Sequence, residues 1–158
     1  MTQGPSDTSG FGKPWFALCV AFAVHVFDEA TTGFLAVYNP TVTALRERWG
    51  WFPMPTFDFR SWLTTMIIVL AVCLALTPFA ARGARAMRPA AWFFAIVHLL
   101  NAAGHTLGTI TGQTVSTVTF PRPAPGFYSS PLLVIASVWL IVRLRQTAPK
   151  QDSRGLPS

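Results

Sequence analysis

The chain has 158 residues, of which 51% are hydrophobic and only 11% are charged, and its formal net charge is +6. A soluble domain carries about 25% charged residues, so this composition is typical of a membrane protein. The basic residues lie in loops and tails and form no face with interleaved aromatic residues, which argues against nucleic acid as a partner.

Four apolar segments predict an all-α fold, an integral membrane four-helix bundle. A helix that crosses a bilayer needs about 20 apolar residues. We expect the four spans at about residues 15–38, 61–81, 90–113 and 129–145. They form one transmembrane domain, 13–146, between two disordered tails, an N-terminal one at 1–12 and a basic one at 147–158.

The basic residues also predict the orientation of this domain, since cytoplasmic loops carry an excess of lysine and arginine. In a four-span chain both termini and the turn between the second and third spans share one side, and that side holds eight of the twelve basic residues: Lys13, Arg82, Arg85, Arg88, Arg143, Arg145, Lys150 and Arg154. We therefore expect a multi-pass protein of the cytoplasmic membrane with both termini cytoplasmic. The loop 41–60, with a short helix at 40–49, would lie on the opposite membrane surface.

The first span carries a polar stripe. His25, Asp28, Glu29 and Thr32 share one helical face, because positions i, i+3, i+4 and i+7 lie on the same side of a helix. Ionisable groups inside a membrane are rare unless they pair, line a cavity or take part in chemistry. The stripe therefore predicts a partner on another helix.

The third span carries a matching stripe of His98, Asn101 and His105. Both helices would run in the same direction, and at 1.5 Å per residue Glu29 and His105 each lie about 22 Å along their helix. The two stripes could therefore converge near the bilayer midplane.

Three glycines on the third span form overlapping G-x-x-x-G steps: Gly104, Gly108 and Gly112. Such steps let two helices approach closely. They predict a helix-packing surface, either within the chain or between two copies in a homodimer.

Three interpretations of the polar constellation remain open, and the first is a metal site. Imidazole and carboxylate ligands suit zinc, and iron or manganese would accept the same set. The candidate ligands are His25, Glu29 and His105, with His98 as a fourth. Asp28 and Asn101 would orient the imidazole rings.

The second interpretation is chemistry without a metal, in which His25, Asp28 and Glu29 act as general acid and base in a dry pocket. In the third, the groups only join the helices by hydrogen bonds. Two adjacent carboxylates are a costly choice for that role, which amides or hydroxyls would fill.

Three short motifs, taken in order, resemble the HXXEE-domain family of small integral membrane proteins. Residues 25–29, HVFDE, match H-x-x-E-E with Asp28 at the first acid, and residues 101–105, NAAGH, match N-x-x-x-H. Residues 123–129, PAPGFYS, are a diverged Y-x-P-G-x-x-T, with Pro123 for the tyrosine and Ser129 for the threonine. The resemblance covers about residues 15–142 and implies a site without supplying a reaction.

Membrane di-iron enzymes use many more histidines than the three in this chain. A single zinc that activates water needs fewer ligands. We therefore expect a metal-dependent membrane enzyme that hydrolyses a lipid or another apolar substrate. Its expected partners are this substrate and the membrane lipids around it. The alternatives are a non-catalytic protein that binds a lipid or an ion, and a metal-free enzyme of the isomerase type.

Overall fold

A computed structural model of the chain describes residues 10–147, and these are mostly helical. Six helices and one short hairpin follow each other in the order α1 (Gly12–Thr32), α2 (Phe34–Trp49), α3 (Phe59–Ala75), α4 (Thr77–Ala81), α5 (Met87–Thr111), β1 (Gln113–Val115), β2 (Val118–Thr119) and α6 (Ser130–Gln146). The prediction of a helical chain is confirmed, and the hairpin is an addition to it.

Three helical segments are long and apolar enough to cross a membrane: α1, the α3–α4 segment Phe59–Ala81, and α5. They correspond to the first three predicted spans. The fourth predicted span corresponds to α6, which has 17 residues.

The first helix ends earlier than expected. We predicted a span that continued to residue 38, but α1 ends at Thr32 because Gly33 adopts a left-handed conformation with φ of 78°. Glycine takes this conformation without the steric cost of a Cβ. The chain then continues as α2, which contains Pro40 in its interior. The break therefore lies at the glycine, and the short helix predicted at 40–49 is the second half of a longer one.

The N-terminal tail is also shorter than predicted at its inner end. Phe11 is fully buried and Gly12 already begins α1, so the first helix starts within the segment that we expected to be the tail. The remainder of that tail, 1–9, and the C-terminal tail from residue 148 lie outside the described residues.

The core lies between α1, α5 and α6, with α3 and α4 packed on the other side of α1. Trp15 is buried in α1 and its indole nitrogen donates a hydrogen bond to the carbonyl oxygen of Cys73 in α3, at 2.9 Å. Cys19 and Cys73 are buried free thiols and pack as small core residues.

The start of α1, the turn after α4 and the end of α6 lie at one end of the helices. A Cβ on Gly12 would stand only 2.6 Å from the Cα atom of Ala81, so α1 and α4 are in close contact there. Arg88 donates hydrogen bonds to the carbonyl oxygen and hydroxyl of Thr147, each at 3.1 Å. Six of the eight basic residues named above belong to these segments, and the other two, Lys150 and Arg154, lie outside the described residues.

Side-chain hydrogen bonds fix the connection from α2 to α3. The amide of Asn39 donates to the carbonyl oxygen of Phe57 at 2.8 Å and accepts from its N–H at 3.0 Å. Asp58 caps α3 by accepting from the N–H and hydroxyl of Ser61, and these bonds hold the pKa of the Asp58 carboxyl below its usual range.

The segment between α5 and α6 folds back over the C-terminal half of α5. Gly112 ends α5 with φ of 71°, and the β1–β2 hairpin follows it directly. The hydroxyl of Thr109 accepts a hydrogen bond from the N–H of Ala124 at 3.0 Å. The prolines of this segment therefore lie beside the polar face of α5.

Candidate metal centre

One buried cluster unites the two helices that carry the polar stripes. Nε2 of His25 lies 3.3 Å from Oε1 of Glu29, and Nε2 of His105 lies 3.2 Å from the same oxygen. All three donor atoms lie within 4.8 Å of one another. The predicted convergence of these residues is confirmed.

The helix geometry places these side chains. His25 and Glu29 are one turn apart on α1, so both point to the same side of that helix. His105 reaches them from α5, and its ring packs edge to face on the ring of His25, with centroids 4.9 Å apart. Each of the three residues is buried.

The donor atoms are close but are not aligned as hydrogen bonds. Within residues 10–147, neither Nε2 of His25 nor Oε1 of Glu29 has a hydrogen-bond partner. Zinc–ligand bonds of about 2.0–2.1 Å at tetrahedral angles separate neighbouring ligand atoms by about 3.3 Å. The distances from Oε1 of Glu29 to the two imidazole nitrogens match that separation, and all three donor atoms lie within 4.8 Å of one another, so this group could hold a divalent metal.

Asp28 supports this cluster through Ser129, which directly precedes α6. Oδ2 of Asp28 accepts hydrogen bonds from the N–H and the hydroxyl of Ser129, each at 2.8 Å. The Ser129 hydroxyl also lies 2.8 Å from Nδ1 of His25. Its other close acceptor is the carbonyl oxygen of Gly126, at 3.2 Å.

These contacts fix the tautomer of His25. The single Ser129 proton is directed to an oxygen, either of Asp28 or of Gly126, so Ser129 accepts from His25 Nδ1–H. The other ring nitrogen, Nε2, then carries the lone pair and faces Glu29. A ligating histidine is oriented in this way when its second nitrogen donates to an oxygen acceptor.

Gly126 packs closely against the imidazole ring of His105. Its φ is +80°, and a Cβ built there would lie 2.7 Å from Cε1 and 2.9 Å from Nε2 of His105. A side chain at this position would displace the imidazole. Only glycine satisfies both the backbone conformation and the contact.

His98 lies outside the cluster. Its Nδ1 hydrogen-bonds to the carbonyl oxygen of Phe94 at 3.0 Å, and its ring packs on Phe22 and Phe94. The structure therefore does not bring this predicted fourth ligand together with the other three. His98 is a core histidine whose Nε2 has no partner among the described residues.

Asn101 occupies a different position from the one predicted. In the part of the chain that the structure describes, its amide makes no hydrogen bond to a histidine ring. It lines a cavity beside His105 instead. Asp28, the other predicted supporting residue, does act on His25, although through Ser129.

The three glycines of α5 do not form a helix-packing surface within the chain. A Cβ at Gly104 would have no atom within 4 Å, whereas at Gly108 it would contact Phe120 and at Gly112 Arg122. The last two glycines lie under the segment that follows α5. Gly112 also has the positive φ of a helix-ending residue.

A cavity of about 290 Å³ opens beside the cluster, between α2 and α5. Its walls are mostly apolar, and His105 and Asn101 are among the polar residues that reach it. Of the three cluster residues, His105 lines this cavity, whereas His25 and Glu29 do not.

Sequence reasoning overlooked Ser129 and Gly126 as site residues. Both lie in the third motif, residues 123–129, whose position in the chain gave no reason to place it against α1. The signal was the motif itself, which ends in a hydroxyl residue and contains an isolated glycine.

No protein-family model, no curated protein and no solved structure matches this chain. The likeness to the HXXEE-domain family therefore rests on the three motifs alone. In the structure, residues of all three motifs meet at one site, namely His25 and Glu29, His105, and Ser129 with Gly126.

Proposed function

We propose that the chain is a multi-pass membrane enzyme with one divalent metal, zinc in the first place, bound by His25, Glu29 and His105. The observation that carries this proposal is the convergence of three buried donor atoms from two helices at the spacing of metal ligands. Iron or manganese would suit the same donors. The reaction we propose is hydrolysis of a lipid or another apolar substrate.

The membrane part of the proposal is a four-helix bundle formed by α1, the α3–α4 segment, α5 and α6. Three membrane-length helices support it, as does the outward exposure of apolar side chains such as Phe27, Ile68 and Phe93. The basic residues at one end of the helices support cytoplasmic termini.

The chemistry follows from the arrangement of the ligands. A catalytic divalent metal supplies an activated water for hydrolysis and has three protein ligands and one open position. Asp28 and Ser129 hold His25 in the ligating tautomer, and Gly126 holds the ring of His105. The apolar walls of the adjoining cavity exclude bulk water from the bond to be hydrolysed.

A second candidate function is metal-free acid–base chemistry of the isomerase type. Oε1 of Glu29 lies within 3.3 Å of two imidazole nitrogens, which would allow a proton to pass between the carboxylate and either ring. A purely structural role is less well supported, because these contacts are not aligned as hydrogen bonds. A non-catalytic lipid- or ion-binding protein would use the same cavity and cluster.

We also propose that the chain is a diverged member of the HXXEE-domain family. The meeting of the three motifs at one site supports this assignment. Pro123 replaces the tyrosine of the family pattern, so a reaction that requires that hydroxyl would need another residue here.

The test is the metal content of tag-free protein purified without chelators, measured by inductively coupled plasma mass spectrometry. We expect close to one equivalent in the wild type and almost none in Glu29→Gln and His105→Ala. Glu47→Gln, on the exposed face of α2, is the matched control and should retain the metal.

Two other results would redirect the proposal. If wild-type protein holds no metal but Glu29→Gln keeps its fold and loses activity, the acid–base function replaces the metal-dependent one. If Glu29→Gln lowers the melting temperature and leaves the binding of any lipid or ion unchanged, the cluster serves only to join the helices.

A further inference from the structure

The cavity beside the cluster is suited to bind one hydrocarbon chain. Its residues come from α2, α5, strand β1 and the segment after the hairpin, and include Phe34, Val37, Tyr38, Leu100, Gly104 and Phe120. Its volume of about 290 Å³ lies just below the range of about 300–1,000 Å³ for small-molecule sites. A ligand with two acyl chains would not fit inside it.

One part of this cavity is polar and adjoins the cluster. His105 belongs to both the cluster and the cavity wall. Asn101 lies one turn earlier on the same face of α5, and its amide has no hydrogen-bond partner within residues 10–147. A carbonyl group beside His105 could accept a hydrogen bond from this amide.

The cavity opens on the outer apolar side of α5. Leu100 lines it and is 68% exposed, and Phe93 and Leu107 lie two turns before and after it on the same exposed side. In a membrane these residues would face the hydrocarbon region. A ligand dissolved in the bilayer would therefore enter past Leu100 without crossing the aqueous phase.

We propose that the cavity binds a single acyl chain whose ester or amide carbonyl lies at Asn101 and His105. The hydrolysis of the bound ester or amide rests on the proposed function, whereas the binding of the acyl chain does not. It specifies the substrate class as single-chain acyl compounds that are delivered from the membrane.

Gly104 sets the free volume of this cavity. It lies on α5 between Asn101 and Gly108, and a Cβ built on it would have no atom within 4 Å. A larger side chain here would project into the space that the acyl chain needs. The two ligands on α1, His25 and Glu29, have no atom within 4 Å of that Cβ, so a methyl group at Gly104 would not contact them.

The probe is palmitic acid with a diazirine at mid-chain, added to the full chain in phosphatidylcholine vesicles. After photolysis, mass spectrometry should find labelled peptides from the cavity wall, in α2 around Val37 and after the hairpin around Phe120. Peptides of α3 that contain Ile67 and Ile68, which are exposed and apolar, report ordinary lipid contact and serve as the internal control.

The variant is Gly104→Phe, with Gly104→Ala as the matched control and Gly104→Leu as a second obstructing variant. Cavity labelling should fall by about tenfold or more in Gly104→Phe, because the burial of several methylene groups is lost. Labelling of α3 should not change. Gly104→Ala should label almost like the wild type.

Metal content measured on the same samples separates this inference from the proposed function. If Gly104→Phe and Gly104→Leu lose the labelling of the cavity wall, the acyl site is supported, whether or not metal is bound. If the cavity and α3 are labelled alike in all variants while the metal is retained, the acyl site is wrong and the metal centre stands.

Discussion

The hydroxyl of Ser129 lies 2.8 Å from Nδ1 of His25, although 104 residues separate them in the chain. The same hydroxyl donates to Asp28, one turn along α1 from His25. Ser129 thus joins the start of α6 to the polar stripe of α1. It determines which nitrogen of His25 faces the cluster.

Replacement of Ser129 by alanine should weaken metal binding. Loss of the hydroxyl leaves His25 Nδ1 without its acceptor and frees the ring to change tautomer. Removal of such a supporting group lowers metal affinity by about 10- to 100-fold. Zinc affinity can be measured by competition with a chromophoric chelator in detergent solution.

Two neighbouring variants make this measurement specific. Ser130→Ala removes a hydroxyl whose one hydrogen bond to residues 10–147 is to the carbonyl oxygen of Gly126, so it should bind zinc almost like the wild type. Ser129→Thr retains the hydroxyl and should restore most of the affinity. Equal affinity in Ser129→Ala and Ser130→Ala would rule out the tautomer argument.

Replacement of Gly126 by alanine should displace the ring of His105 and abolish metal binding. The new methyl group would lie 2.7 Å from Cε1 of that ring. Gly33→Ala is the control, since Gly33 has nearly the same φ, 78° against 80°, but no atom within 4 Å of its Cβ position.

Both variants carry the same backbone cost, roughly 1–2 kcal/mol for an alanine in the left-handed region. The melting temperature should therefore fall in both variants, whereas metal content should fall only in Gly126→Ala. Loss of metal from both proteins would show that backbone strain, and not the contact with His105, is responsible.

Replacement of His98 by leucine should leave the metal in place. The variant loses ring contacts with Phe22 and Phe94, worth about 0.5–1.5 kcal/mol each. It also removes a buried nitrogen without a partner, which offsets part of that loss. Metal analysis of His98→Leu beside His105→Ala checks the assignment, and loss of metal from both would make His98 a ligand.

Replacement of Gly12 by alanine should destabilise the helix packing without altering the cluster. The added methyl would meet Ala81 of α4 at 2.6–2.8 Å, and such overpacking costs about 1–3 kcal/mol. Gly104→Ala has open space and gains helix propensity, so its melting temperature should rise. Differential scanning fluorimetry would show the opposite shifts, and a fall in both would contradict the packing argument.

The sequence by itself determined the helices and the content of the cluster. Long apolar segments can satisfy their backbone hydrogen bonds only as helices in an apolar medium, and helical periodicity then places His25 and Glu29 on one face. Because burial of ionisable groups costs free energy, that face must contact a partner on another helix. His105, at matching depth on another apolar helix, was the residue that met this requirement.

Only the tertiary structure decided which other residues reach the cluster. Periodicity relates residues within one helix, but the path of the segment between α5 and α6 depends on contacts distant in sequence. For this reason Ser129 and Gly126 were overlooked, and the glycines of α5 were assigned to helix packing although they face that segment and the cavity. His98 shares a helical face with His105, yet it packs between Phe22 and Phe94 because it lies two turns away from the level of Glu29.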